Sequence, residues 1–108
     1  MAEVVKTYHY NGELSQIYFE NDGKIEGEYK RYHENGQLAA ICNYVDGKRE
    51  GECNSYWENG LLWETCNYVN GKRNGEYREY YGNGQLYCAC IYVDGVVQEI
   101  KNWFVYSL

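Results

Sequence analysis

The sequence contains no proline and only ten lysines and arginines among its 108 residues. Without proline, and with 14 tyrosines and a 44% hydrophobic share, it is neither collagen-like nor a disordered tail. Ten basic against sixteen acidic residues leave a net charge of −6, which opposes attraction to nucleic acid or anionic lipid. The expected partner is therefore a protein surface. No run approaches the roughly 18 apolar residues of a membrane-spanning helix. Residues 1–6 also lack the basic start and apolar core of a secretory signal. The chain is expected to work inside a cell, in the cytoplasm or within a larger particle. Five cysteines, an odd number, fit reduced thiols there better than a disulfide framework.

What the sequence does contain is a repeat. Asn-Gly stands at 11–12, 35–36, 59–60 and 83–84, a spacing of 24 residues. Asp22-Gly23, Asp46-Gly47, Asn70-Gly71 and Asp94-Gly95 keep that period, and Gly-Glu recurs at 27–28, 51–52 and 75–76. Four units follow, 8–31, 32–55, 56–79 and 80–103, in one domain with a short cap at each end. Each unit carries two turn dipeptides about half a period apart, and Asn-Gly or Asp-Gly between apolar runs is a strong hairpin signal. Four units thus predict about eight short strands.

Between the turns the residues alternate with period two, as in Leu38, Ala40, Cys42, Tyr44 against Ala39, Ile41, Asn43, Val45. The alternation predicts strands, and the segments are too short for stable helices. The predicted fold is all-β: antiparallel hairpins in one elongated, twisted meander sheet. The column Leu14, Leu38, Leu62, Leu86 and the column Tyr44, Tyr68, Tyr92 are expected on one face. Equivalent residues two strands apart lie about 10 Å from each other, and eight strands extend about 38 Å.

The unit Tyr-x-x-Asn-Gly-x-Leu followed by Tyr-Val-Asp-Gly-Lys-Arg-x-Gly-Glu resembles the variant repeat of the MORN superfamily, often labelled an antitoxin component. The likeness covers residues 8–103 and is most complete in the two middle units. Glu20 in the first unit, and Val96, Val97 and Glu99 in the last, depart from it in the manner of end caps. The resemblance implies an open antiparallel sheet and a non-enzymatic scaffold or protein-interaction role. Its alternatives are an antitoxin that binds a cognate toxin and a phosphoinositide or membrane tether.

The chemistry-bearing residues give no catalytic constellation. Ser15, Ser55 and Ser107 lie outside any nucleophile elbow, and the glycines stand singly at turns, so no phosphate loop forms. Glu28, Glu52 and Glu76 are spaced as a solvated column, too far apart to share a proton. Lys24, Lys48, Arg49, Lys72 and Arg73 gather at the Asp-Gly turns, but Asp22, Asp46, Glu26 and Glu50 nearly cancel them. Cys42, Cys66 and Cys90 fall about 10 Å apart, beyond the roughly 7 Å reach of a disulfide. If Asn59-Gly60 closes a two-residue hairpin, Cys53 faces Cys66, the one pair within reach and expected as two thiols. No catalytic residue, metal or cofactor is expected.

The aromatics are the candidate partner contacts. His9, His33, Trp57 and Tyr81 share one column. Trp57, Trp63 and Tyr87, with Trp103, Phe104 and Tyr106 in the apolar end segment, carry the residue types enriched at binding hot spots. Residues 97–108 also offer an edge strand, the expected route to a homodimer.

Overall fold

A computed structural model describes residues 2–102, the last four of them through their backbone alone. They form twelve strands in one antiparallel sheet. The strands are β1 (Glu3–Tyr8), β2 (Leu14–Asn21), β3 (Lys24–Ile25), β4 (Gly27–Tyr32), β5 (Leu38–Val45), β6 (Lys48–Arg49), β7 (Gly51–Tyr56), β8 (Leu62–Val69), β9 (Lys72–Arg73), β10 (Gly75–Tyr80), β11 (Leu86–Val93) and β12 (Val96–Asn102). The main path runs β1-β2-β4-β5-β7-β8-β10-β11-β12, while β3, β6 and β9 pair with β2, β5 and β8. Nine strands along this path replace the expected eight, because Glu3–Tyr8, set aside as an end, adds a strand against β2. The molecule measures 48 × 33 × 14 Å, the thickness of one layer. Trp103, Phe104 and Tyr106 lie outside the described residues.

The two turn dipeptides look alike in sequence and fold differently. At Asp46-Gly47 both residues have positive φ, 54° and 82°. The turn is followed at once by the pairs Val45↔Lys48 and Tyr44↔Arg49. This is the two-residue type I′ hairpin, whose twist matches that of the strands. At Asn59-Gly60 only the glycine has positive φ, 90°. Gly60 N–H donates to Trp57 O at 2.9 Å and Trp57 N–H to Leu61 O at 2.8 Å. The loop therefore has three residues, Glu58-Asn59-Gly60, ending in a left-handed glycine. The Asn59 side chain accepts from Leu61 N–H at 2.9 Å and closes the loop from inside.

A second irregularity corrects the expected faces. Ser55 pairs with Glu64 but Tyr56 with Leu62, leaving Trp63 as an extra residue. Ser15, Ala39 and Tyr87 are extra at the equivalent points. A bulged residue interrupts the in-and-out alternation. The leucine column is thereby separated from the tyrosine column and stays half-buried. The core is built instead from Cys42, Cys53, Cys66, Tyr68, Tyr77 and Cys90, with Tyr44 and Tyr92 packed against it. We call this side the front face.

A third device joins one hairpin to the next. Glu50 N–H still donates to Asn43 O on its own hairpin, at 2.8 Å. At Gly51, with φ 85°, the chain bends, and beyond the bend the ladder resumes as Ile41↔Asn54 and Ala40↔Ser55. Cys42 alone is thus opposed by Gly51, Glu52 and Cys53. Gly27 and Gly75, with φ 82° and 103°, make the same bend in their units.

Successive units are also bonded along both rims. Gly47, Gly71 and Gly95 donate their N–H groups to Ile25, Arg49 and Arg73 of the preceding unit at 3.1, 3.0 and 2.7 Å. On the other rim Asn11, Asn35 and Asn59 donate from Nδ2 to carbonyls of Glu34, Glu58 and Gly82 at 3.2, 3.0 and 2.8 Å. His9 and His33 bond through Nε2 to the carbonyls of Tyr32 and Tyr56 at 2.7 and 2.8 Å. The Trp57 indole N–H makes the equivalent bond to Tyr80 O at 3.3 Å. A carbonyl has no proton to give, so the histidines carry theirs on Nε2. The column expected as a surface aromatic position is a row of staples between units.

The bend at Gly51 is tested by Gly51→Ala. No atom lies within 4 Å of an added Cβ at Gly51 or Gly82, but only Gly51 has positive φ. Gly51→Ala is expected to destabilise the fold by about 1–2 kcal/mol, and Gly82→Ala by less than about 0.5 kcal/mol. Urea unfolding midpoints of the two variants measure the difference.

Candidate functional site

Across the front face the ladder pairs Tyr29↔Cys42, Cys53↔Cys66 and Tyr77↔Cys90 follow one another, with the Tyr18 ring beside Tyr29. A parallel line holds Gln16, Arg31, Ala40, Ser55, Glu64, Glu79 and Cys88. Within each line the middle residues are small. Cys53 occupies the position that Tyr29 and Tyr77 fill in the neighbouring units, and Ser55 that of Arg31 and Glu79. The missing side-chain volume opens a groove of about 470 Å³.

The groove floor is Ala40, Cys42, Cys53, Ser55 and Cys66. Tyr18, Tyr29 and Arg31 form one wall, Trp63 and Glu64 the opposite one, and Tyr44, Arg49 and Tyr68 one end. The Tyr18 and Tyr29 rings lie 5.5 Å apart, and Tyr29 meets Tyr44 edge-on at 5.9 Å. Arg49 donates to the Tyr44 hydroxyl at 3.3 Å and to the Tyr68 hydroxyl at 3.0 Å, with its guanidinium 5.3 Å over the Tyr68 ring. These phenol oxygens hold Arg49 still more firmly protonated than usual. Arg73 repeats the arrangement one unit on, bonding the Tyr92 hydroxyl at 3.3 Å over the Tyr77 and Tyr92 rings.

Two walls of opposite charge face each other across the groove. Arg31 stands on one side, and on the other Glu64 accepts from the Tyr77 hydroxyl at 2.9 Å. The same hydroxyl lies 3.1 Å from a Glu79 carboxylate oxygen. Burial, and then the Glu64 carboxylate, hold the Tyr77 phenol well above its ordinary pKa. One phenol thus sits between two carboxylates and separates them.

The candidate partner contacts divide. Trp63 lines the groove and stacks on Trp57 at 5.0 Å, and both border a second hollow of about 460 Å³ with His33 and Tyr56. Tyr87, exposed, pairs with Tyr81 at 5.1 Å one unit away and does not line the groove. The basic row at the Asp-Gly turns is largely committed: Lys24 pairs with Asp46 at 3.1 Å, and Arg49 and Arg73 turn to the tyrosines. Glu28 and Glu76 lie exposed beside Lys30 and Arg78, at 3.3 and 3.0 Å. The roles of Arg31, Arg49 and Glu64 in the groove had no separate signal in the sequence. The contrast between Cys53 and its column partners Tyr29 and Tyr77 was the visible trace of the cavity.

A model of the MORN repeat variant family matches residues 25–46, 49–70 and 73–94, in the 24-residue period of the turns. The chain belongs to the variant MORN repeat family. Repeats of this family are generally non-catalytic modules of protein or membrane interaction. No curated protein matches the sequence. Among solved structures the chain is similar to one from the Glycosylation Associate Protein (Gap123) complex of Streptococcus agalactiae, at 15% identity and a TM-score of 0.49. The match covers 95% of this chain and 20% of that one, so the MORN chain spans about a fifth of its length.

The bridging phenol gives this site its test. Tyr77→Phe removes the donor between Glu64 and Glu79 while keeping the ring, and is expected to cost about 1–3 kcal/mol. Denaturant unfolding of the variant, with circular dichroism to verify an unchanged sheet, measures the loss.

Proposed function

We propose that this MORN protein is a non-catalytic interaction module that receives an extended segment of a partner polypeptide in the front groove. The observation that carries the reading is the Cys53 position: where adjacent units fill the front face with tyrosine, this unit leaves a groove walled by aromatic rings, with Arg31 on one side, Glu64 on the other and Arg49 at one end. Aromatic walls offer apolar contact, and Arg31 and Glu64 offer orientation, the combination that fixes a bound segment in one direction. The stiff hairpin array suits a surface that is already shaped before binding.

Membrane tethering has less support from the same surface. Lys24, Arg49 and Arg73 are engaged with Asp46 and the tyrosine hydroxyls, and the chain carries a net charge of −6. Self-association is favoured by a separate observation. Val96 and Val97, on the terminal strand of the described sheet, are 61% and 48% exposed. An edge strand with exposed valines is a template for pairing with a second copy.

The groove is tested by restoring the tyrosine that its column otherwise carries. Cys53→Tyr is expected to keep the fold, as Tyr29 and Tyr77 do in their own units, and to fill the groove. Peptides selected from a random library on the native protein should bind Cys53→Tyr at least about tenfold more weakly, as when hot-spot contacts are lost. Selection that yields no peptide, or peptides indifferent to Cys53→Tyr, overturns the reading. For the edge, light-scattering mass should show a dimer that Val97→Lys converts to monomer, and a native monomer at every concentration removes self-association.

A further inference from the structure

Beneath the groove Cys42, Cys53 and Cys66 occupy three successive strands of the main path, β5, β7 and β8. Sequence spacing placed only Cys53 and Cys66 within reach of each other. The bend at Gly51 brings a second pair together, because it sets Cys53 against Cys42 between Ile41↔Asn54 and Asn43. Cys42 and Cys53 lie one step beyond the paired Ile41 and Asn54 on adjacent strands; directly opposed partners stand about 4.5–5.5 Å apart at Cα, and a disulfide accepts up to about 7 Å. Cys42 and Cys53 are close enough for a weak thiol–thiol interaction, and both pack with Cys66 in the buried core cluster. The three do not form a metal cage: among the described residues no cluster of ligating side chains is arranged to hold an ion.

We propose that Cys42 and Cys53 form a reversible oxidation site, in which a hydroperoxide entering the groove converts the two thiols into a disulfide joining β5 to β7. Both cysteines line the groove. The hydrogen bond from Cys53, and then the positive charges of Arg49 and Arg31, hold the Cys42 thiol below its ordinary pKa against the opposing effect of burial. The same bond, with burial, holds the Cys53 thiol above it. Burial keeps Cys66, Cys88 and Cys90 protonated as well. Among these cysteines Cys42 is the one whose surroundings favour the thiolate, the form that attacks peroxide.

The chemistry balances in two steps. The Cys42 sulfur attacks the terminal peroxide oxygen, the O–O bond breaks, and the alkoxide leaves as alcohol with the proton given up by Cys42, or as water when the oxidant is hydrogen peroxide. The product is a sulfenic acid on Cys42. The Cys53 sulfur then attacks the Cys42 sulfur, the S–O bond breaks, and hydroxide leaves as water with the Cys53 proton. Two electrons have passed from the pair of thiols to the peroxide. A thiol reductant reverses the change through a mixed disulfide.

The test uses the full native chain, treated with hydrogen peroxide, quenched, unfolded in iodoacetamide and digested without reduction for mass spectrometry. The expected result is one linked peptide joining Cys42 to Cys53, abolished by dithiothreitol, with the other three of the five cysteines alkylated. Cys66→Ser should retain the link. Cys53→Ser should lose it and leave a sulfenic acid on Cys42 that dimedone captures. Absence of any link in the native chain, or Cys53 joined to Cys66 in place of Cys42, overturns the proposal. Because the native chain and Cys66→Ser decide the outcome, it does not rest on Cys53→Ser folding. Peptide binding by the reduced protein is read separately, so failure here leaves the groove reading standing.

Discussion

The sheet depends on the left-handed backbone at Gly27, Gly51 and Gly75. Each glycine lets the chain pair with its own hairpin before the bend and with both neighbouring strands after it. Side chains at these positions would strain the backbone, since positive φ brings Cβ against the carbonyl. With the bend in place, hairpins stack in one direction and every unit inherits the same offset. Everything on the front face follows from that offset, including the line of tyrosines and cysteines and the opposition of Cys42 to Cys53.

Stability in such an array comes from neighbours more than from a deep core. The buried residues are small or phenolic, and no large side chain among the described residues is wholly enclosed. Hydrogen bonds at the rims take up the work that a second layer does in a sandwich. Asparagine amides and turn glycines bond from unit to unit, and the histidine and tryptophan rings span the same junctions. Arginines laid over tyrosine rings fasten the front face one unit at a time. Each device repeats because the chain repeats, so a single departure from the repeat becomes visible as a change of surface. Cys53 is the departure that opens the groove.

The groove and the thiol pair share this origin and differ in what they require. A cavity arises wherever a small residue replaces a tyrosine in a line of large ones. A reactive thiol pair needs in addition a second cysteine in register, a bend that brings it close, and cations beside one sulfur. Arg31 and Arg49 supply that charge from strands on either side. The same guanidinium that ties Tyr44 to Tyr68 thereby also favours ionisation of the thiols beside it.

The period of 24 residues, the strand alternation and the paired turn dipeptides were enough to determine an all-β hairpin array, because turn and strand preferences are local and recur in step. The pairing of Cys53 with Cys66 was legible for the same reason, as a count within one hairpin, even though the loop proved to have three residues and a bulge restores the register. What the sequence could not show was any relation between hairpins. Whether Asn-Gly makes a two-residue or a three-residue turn, where Trp63 bulges, and which face the leucines take depend on hydrogen bonds summed over two strands. The approach of Cys53 to Cys42, and the placing of Arg31 and Glu64 on opposite walls of the groove, depend on how β7 packs on β5 beyond the bend at Gly51. The recurring Gly-Glu marks the position in the sequence but not its bend, whose consequence appears only when the next strand packs against it.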